Sequence, residues 1–205
     1  AQVRVIEFEG ETPTGRAGIR SEYVVTHTDL DPSTIVVIVP GGQTSEGGGL
    51  PEAVLLFLAE ERLMRKAPEV IPIEGDALPP VSDYGMASNG RTAFMLGGLE
   101  HETGDLRPAN EIFTMAVEKN GSDDFVLNTS TLRPPGPGPG PRFENPAAWI
   151  DAPEPGIVTC GGFGTVGPGA VWEFLDDCWR YEVDTDMWVP GPDLPHPMSG
   201  HDIIP

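Results

Sequence analysis

Positive charge is what this chain has least of. Its 205 residues carry 12 Lys and Arg against 32 Asp and Glu, a net charge of −20. Such a surface repels phosphate backbones and anionic lipid, so no nucleic-acid partner is expected. The acidity suits a solvated surface, a basic partner, or a saline or divalent-rich compartment. No apolar run reaches 18 residues, which predicts no membrane-spanning helix. Only two cysteines occur, Cys160 and Cys178. The four histidines, His27, His101, His196 and His201, show no paired metal-ligand spacing. Neither a Gly-x-Ser-x-Gly elbow nor a phosphate-binding loop is found. No catalytic residue, metal or cofactor is therefore assigned.

Glycine and proline are abundant, at 26 and 23 residues. They punctuate β-prone runs, as many short strands joined by tight turns require. A hydrophobic content of 39% is enough to build a core between such strands. The clearest stretch runs from 157 to 188. Val158-Thr159-Cys160 stops at Gly161-Gly162, and after a loop Cys178, Arg180 and Glu182 alternate with Trp179, Tyr181 and Val183. Asp184-Thr185-Asp186 is turn chemistry, and Met187-Trp188-Val189 begins a return strand.

Two further apolar runs end on a glycine doublet. Ile35 to Val39 leads to Gly41-Gly42, and Ala93 to Leu96 leads to Gly97-Gly98. The doublets stand 56 and 64 residues apart, close to the period of a four-stranded propeller blade. With Tyr181 seven residues before Trp188, and Leu194-Pro195 ahead of Ser199-Gly200-His201, the chain resembles the kelch repeat family. The resemblance is best preserved over 157–201. It implies an all-β, kelch-type β-propeller that is incomplete or part of a longer one, with about three blades and strand fragments at both ends.

The boundaries follow from the repeats: 1–13 as an outer strand of a preceding blade, 14–78 and 79–133 as blades, and 134–141 as a Pro/Gly linker. A third blade covers 142–195, and 196–205 begins the first strand of the next. Three blades fall short of the four to eight that close a propeller. The full gene product is therefore expected to be longer, or closure to involve another chain. The linker, PPGPGPGP, lacks a hydrogen-bond ladder and is expected to be an exposed, partly extended spacer. Between Pro51 and Lys66, good helix formers compete with the repeat. Phe57 and Met64 keep the seven-residue spacing of Tyr181 and Trp188, which favours two strands turning at Glu60-Glu61.

Gly162-Phe163-Gly164-Thr165-Val166-Gly167 has the spacing of a dinucleotide fingerprint, but Pro168-Gly169 follows where a helix must open. The doublets Gly41, Gly42, Gly97, Gly98, Gly161 and Gly162 are thus read as architecture, with Tyr181 and Trp188. Copper oxidases on kelch-type propellers need a Tyr/His/Cys radical site, and the cysteines here sit in strands instead. Cys160 ends one strand and Cys178 starts its antiparallel neighbour, so the two belong side by side in one blade. Whether they are reduced small hydrophobes or a disulfide is left open. Asn120 and Asn128 match the glycosylation pattern without deciding the compartment, which stays open between cytoplasm, an organelle lumen and the exterior.

Loops set by a rigid scaffold usually carry function. The loops between second and third strands, 43–50, 99–109 and 163–176, hold the candidate contacts His101, Glu102 and Arg107 in one and Trp172 and Phe174 in another. The resulting expectation is a non-enzymatic protein-interaction or scaffold module, a structural subunit of a larger protein assembly. The competing readings are a sugar-acting kelch propeller, of the sialic acid epimerase kind, and a secreted carbohydrate- or calcium-binding module.

Overall fold

The computed structural model describes residues 15–25, 35–58, 69–119, 125–166 and 171–204. Among these there is no helix, and eighteen strands follow one another. They are β1 (Glu22–Val25), β2 (Ile35–Pro40), β3 (Ala53–Leu58), β4 (Glu69–Val70), β5 (Ile73–Gly75), β6 (Val81–Ser82), β7 (Gly85–Ser88), β8 (Ala93–Leu96) and β9 (Leu99–Glu100). The second half holds β10 (Ile112–Lys119), β11 (Phe125–Leu132), β12 (Arg142–Phe143), β13 (Ala147–Ile150), β14 (Gly156–Cys160), β15 (Phe163–Val166), β16 (Val171–Phe174), β17 (Cys178–Glu182) and β18 (Met187–Pro190).

Three larger sheets repeat one plan. The first runs β1-β2-β3-β4, the second β5-β11-β10-β8-β7 and the third β13-β14-β17-β18. In each, four strands pair antiparallel in chain order, with β9 intervening in the second sheet and β15 and β16 in the third. The second gains a parallel strand, because Leu127, Asn128 and Thr129 of β11 face Ile73, Glu74 and Gly75. Strand β5, which lies within 14–78, thus pairs in the second sheet.

The sheets stack through alternate residues. Val24, Val36, Ile38 and Leu55 meet Met86, Met95, Phe113, Met115 and Leu127 in one core. Phe94, Leu96 and Ile112 meet Ile157, Tyr181 and Trp188 in the other. Strand β8 therefore reads Ala-Phe-Met-Leu without a polar break, since both of its faces are covered and all four residues are buried. Burial of each large apolar side chain here contributes roughly 1.5–3 kcal/mol.

Each glycine doublet joins one sheet to the connecting segment of the next. The φ angles are 58° and 97° at Gly41-Gly42, 64° and 105° at Gly97-Gly98, and 60° and 100° at Gly161-Gly162. A Cβ on the first member would lie 2.6 Å from Val81 O, 2.5 Å from Arg142 O or 2.6 Å from Met198 O, respectively. The N–H of the second member donates to that same carbonyl, from Gly42 at 2.8 Å and from Gly98 and Gly162 at 2.9 Å. Left-handed backbone and close approach together leave no room for a side chain.

Ala53–Leu58 is strand and pairs with Glu69–Val70; Glu60, Glu61 and Met64 lie outside the described residues, as do the strand expected before residue 14 and His27. Three expectations are corrected. Residues 163–176 are no plain loop, since β15 and β16 form a hairpin joined by β12. The Pro/Gly linker is no free spacer: Pro134 and Pro139 are buried, and a Cβ on Gly138 would meet Trp188 at 2.9 Å. A tryptophan edge needs a thin chain against it, and glycine supplies one. Finally, 196–204 form no strand: Met198 and Gly200 make single backbone bonds to Gly162, Leu175 and Glu144, which do not add up to a ladder.

Candidate functional site

Connecting segments and loops interleave. Ala17 bridges Gln43, Val81 and Ser82 pair with Glu100 and Leu99, and Arg142 and Phe143 pair with Gly164 and Phe163. One residue further along, Gly18, Asp83, Glu144 and Gly200 all take positive φ, at 61°, 55°, 52° and 65°. Asp83 N–H donates to Gly18 O at 2.7 Å, Glu144 N–H to Asp83 O at 2.6 Å, and Gly200 N–H to Glu144 O at 3.0 Å. This relay ties four segments into one arc. Left-handed Asp and Glu each cost about 1–2 kcal/mol, which the bonds must offset. A sequence cue existed: Pro80, Pro141 and Pro197 stand three residues before Asp83, Glu144 and Gly200.

His101 sits against this arc. Its Nε2 is 2.7 Å from Ser82 Oγ, and the Ser82 hydroxyl donates to Asp83 Oδ2 at 2.5 Å. With that proton committed to the carboxylate, the imidazole is the donor to Ser82. The polarity is opposite to that of an activated nucleophile, and Ser82 is fully buried. His101 is a local brace. Glu102 is exposed. The Arg107 side chain turns to Glu100 at 3.0 Å and Glu111 at 3.5 Å, and Glu111 also takes Arg133 at 3.2 Å. Partly exposed pairs of this kind contribute about 1 kcal/mol each.

Trp172 and Phe174 come together on one face of β16. Ring centroids lie 5.0 Å apart for Phe163–Phe174, 5.7 Å for Phe163–Trp172, 6.1 Å for Phe143–Trp172 and 5.7 Å for Phe143–Phe163. Four rings thus tile the sheet β12-β15-β16. Trp172 stays 46% exposed, Phe174 56% and Val171 64%. Phe143 and Phe163 escaped the sequence reading because β12 is two residues long and carries no alternation. Arg107 O accepts from Arg142 N–H, and β12 pairs with β15, so β12 lies between the two candidate loops.

Two arginine–carboxylate pairs anchor the doublets. Arg16 donates to Gly41 O at 2.9 Å and Glu52 Oε1 at 2.7 Å. Arg142 donates to Gly161 O at 3.0 Å and to Asp177 Oδ1 and Oδ2 at 2.7 and 2.8 Å, and Trp179 Nε1 joins Asp177 at 2.6 Å. Burial raises the Asp177 carboxyl, but the Arg142 bonds and charge outweigh it and hold the group below the ordinary carboxylate value.

A second feature is a cleft between β1, β7, β13 and residues 202–203. Its two adjoining hollows, about 280 and 430 Å³, share Glu22, Ala147 and Ile203. Arg20 enters it, paired with Asp202 at 3.0 Å. His201 lies beside that pair, its two ring nitrogens buried without hydrogen-bond partners. Among the described residues no three His, Cys, Asp or Glu side chains cluster as a metal site, and no helix is long and apolar enough to cross a membrane. Cys160 and Cys178 face each other across β14 and β17 and form a disulfide, with Cα atoms 4.1 Å apart.

No protein-family model matches the chain, and no curated protein matches it. Solved structures do. The structure of YjhT is similar with a TM-score of 0.63 at 12% identity, over 94% of this chain and 60% of that one. A chain of the cryo-EM structure of RAG in complex with one melted RSS and one unmelted RSS is similar with a TM-score of 0.58 at 12% identity, over 84% of this chain and 55% of that one. The chain therefore spans a little over half the length of these neighbours. YjhT has a β-propeller-like fold, and at this identity the likeness supports a β-rich fold of that general kind.

Proposed function

We propose that the chain is part of a kelch-type β-propeller that acts as a non-enzymatic interaction or scaffold module within a larger protein assembly. In this reading the three larger sheets are blades, the arc from Gly18 to Gly200 runs around the axis, and further sheets in cis or in trans complete the ring. The repeated order of four antiparallel strands, the doublets bonded to each next segment, and the likeness to YjhT support the propeller. The observation that carries the function is the exposed aromatic face of Phe143, Phe163, Trp172 and Phe174. Exposed clusters of large rings mark interaction sites. A net charge of −20 favours a protein over a nucleic acid as the partner.

The test is a random peptide display library panned on the wild-type protein. Enriched peptides should lose at least tenfold in affinity on a W172A/F174A double variant that melts like the wild type. Failure to enrich any peptide, or enrichment of peptides indifferent to the double variant, overturns the reading.

The cleft favours a second reading, a propeller enzyme acting on a sugar, because Arg20, Glu22 and Asp202 converge there. His201 does not complete the set, since its nitrogens are buried. Faster interconversion of sialic acid anomers with the wild type than with Arg20→Ala, followed by proton NMR, would support this reading over the first.

A further inference from the structure

Among the described residues, strand β16 is the outer edge of the sheet β12-β15-β16. An edge strand offers a row of backbone N–H and C=O groups to any extended chain, and proteins usually blunt it with lysine, proline or cover. Val-Trp-Glu-Phe has neither lysine nor proline, and all four of its residues are exposed. Side chains alternate along a strand, so Trp172 and Phe174 share the aromatic face while Val171 and Glu173 point the other way.

Charge narrows the occupant. From 134 to 204 the sequence holds eleven Asp and Glu but only two cations, Arg142 and Arg180. Both are engaged, Arg142 by Asp177 and Arg180 by Glu154 and Glu182. Glu173 lies within the edge strand, and Asp176, exposed, two residues after it.

Resting on the interaction-module reading, we propose that β16 receives an extended segment of a partner protein in which Arg or Lys alternates with apolar or small residues. The segment adds a strand outside β16. Residues on one side cover Trp172 and Phe174, and its cations meet Glu173 and Asp176. A neutral sugar could stack on the same rings, but it would use neither the backbone row nor the charge.

Four probes test this: fluorescein-labelled ten-residue peptides alternating Thr or Val with Arg, with Glu or with Gln, and an unlabelled neutral hexasaccharide followed through tryptophan fluorescence. The Arg peptide should bind by anisotropy. Its affinity should fall at least tenfold on W172A/F174A, at least tenfold on Glu173→Arg, and at least tenfold when its alternate amides are N-methylated. Should the Glu or Gln peptide or the sugar bind instead, with the same dependence on Trp172 and Phe174, the cationic strand is wrong and the interaction face stands. Should the Arg peptide bind W172A/F174A and Glu173→Arg as tightly as the wild type, its contacts are diffuse and the proposal falls. If no probe responds to W172A/F174A, the proposal and the interaction face fall together.

Discussion

Arg142 and Asp177, 35 residues apart, form a two-pronged ion pair at 2.7 and 2.8 Å beneath the third glycine doublet. The guanidinium is almost fully buried while the carboxylate keeps a third of its exposure. The same guanidinium also reaches Gly161 O and Gly140 O. One side chain thus fixes the doublet, the end of the linker and the start of β17. Removing one partner of a buried pair strands the other's charge, so Asp177→Asn should cost about 3 kcal/mol at pH 7, at the lower end for such pairs because the site is part-exposed. The Asp177 carboxyl has a lowered value in the fold, so its contribution is present above the unfolded carboxylate value and is lost only as pH falls through the folded one. Urea unfolding of wild type and Asp177→Asn should therefore differ at pH 7 and converge once the pH has fallen below the lowered Asp177 value.

The doublets predict a graded glycine series. Gly97 has φ 64° and a Cβ there would press on Arg142 O at 2.5 Å, whereas Gly136 has φ 88° with open space around it. Gly136→Ala should cost only the left-handed backbone penalty, about 1–2 kcal/mol. Gly97→Ala adds overpacking against a backbone that cannot yield, a further 1–3 kcal/mol or so. Equal destabilisation of the two variants in chemical denaturation would show that the doublet does not set the inter-sheet distance.

The strand plan was legible because its signals are local. Apolar runs stopped by Gly-Gly and the Tyr181–Trp188 spacing located the second to fourth strands of the third sheet. What escaped notice depends on contacts between distant segments. The Ser82–Asp83–His101 brace, the pairing of Phe143 with Phe163 and the packing of Gly138 on Trp188 leave no periodic trace. Arg107 illustrates the converse. A lone arginine in a loop reads as a contact residue, but Glu111 in the next turn and Glu100 across it consume its charge. Of the candidate residues, Trp172 and Phe174 lie together on one exposed surface, because residues two apart on a strand share a face.

The disulfide predicts a redox-dependent stability. Cys160 and Cys178 close a loop of 18 residues that contains the whole β15–β16 hairpin. By the chain-entropy account, closing a loop of this size restricts the unfolded chain by about 3 kcal/mol. A C160A/C178A variant should melt lower than the oxidised protein and no longer respond to dithiothreitol, while the wild type should fall toward it on reduction. An unchanged melting temperature on reduction, with free thiols confirmed by titration, would count against a structural role.

His201 should make the protein acid-sensitive well above the carboxylate range. Burial, and then the nearby Arg20 charge, lower its value, with Asp202 opposing. Its ring covers Gly161, where a Cβ would lie 3.1 Å from Cε1, and neither nitrogen finds a partner that would welcome a proton. The unfolded chain takes up that proton near pH 6.5, before the folded one does. Stability is therefore complete above about pH 6.5 and declines as pH falls from there through the lower folded value, below which the loss is constant. His201→Gln keeps a similar shape without the titration. Between pH 7.5 and 5 the melting temperature of the wild type should drop more than that of His201→Gln, and parallel curves would assign the acid response to other groups.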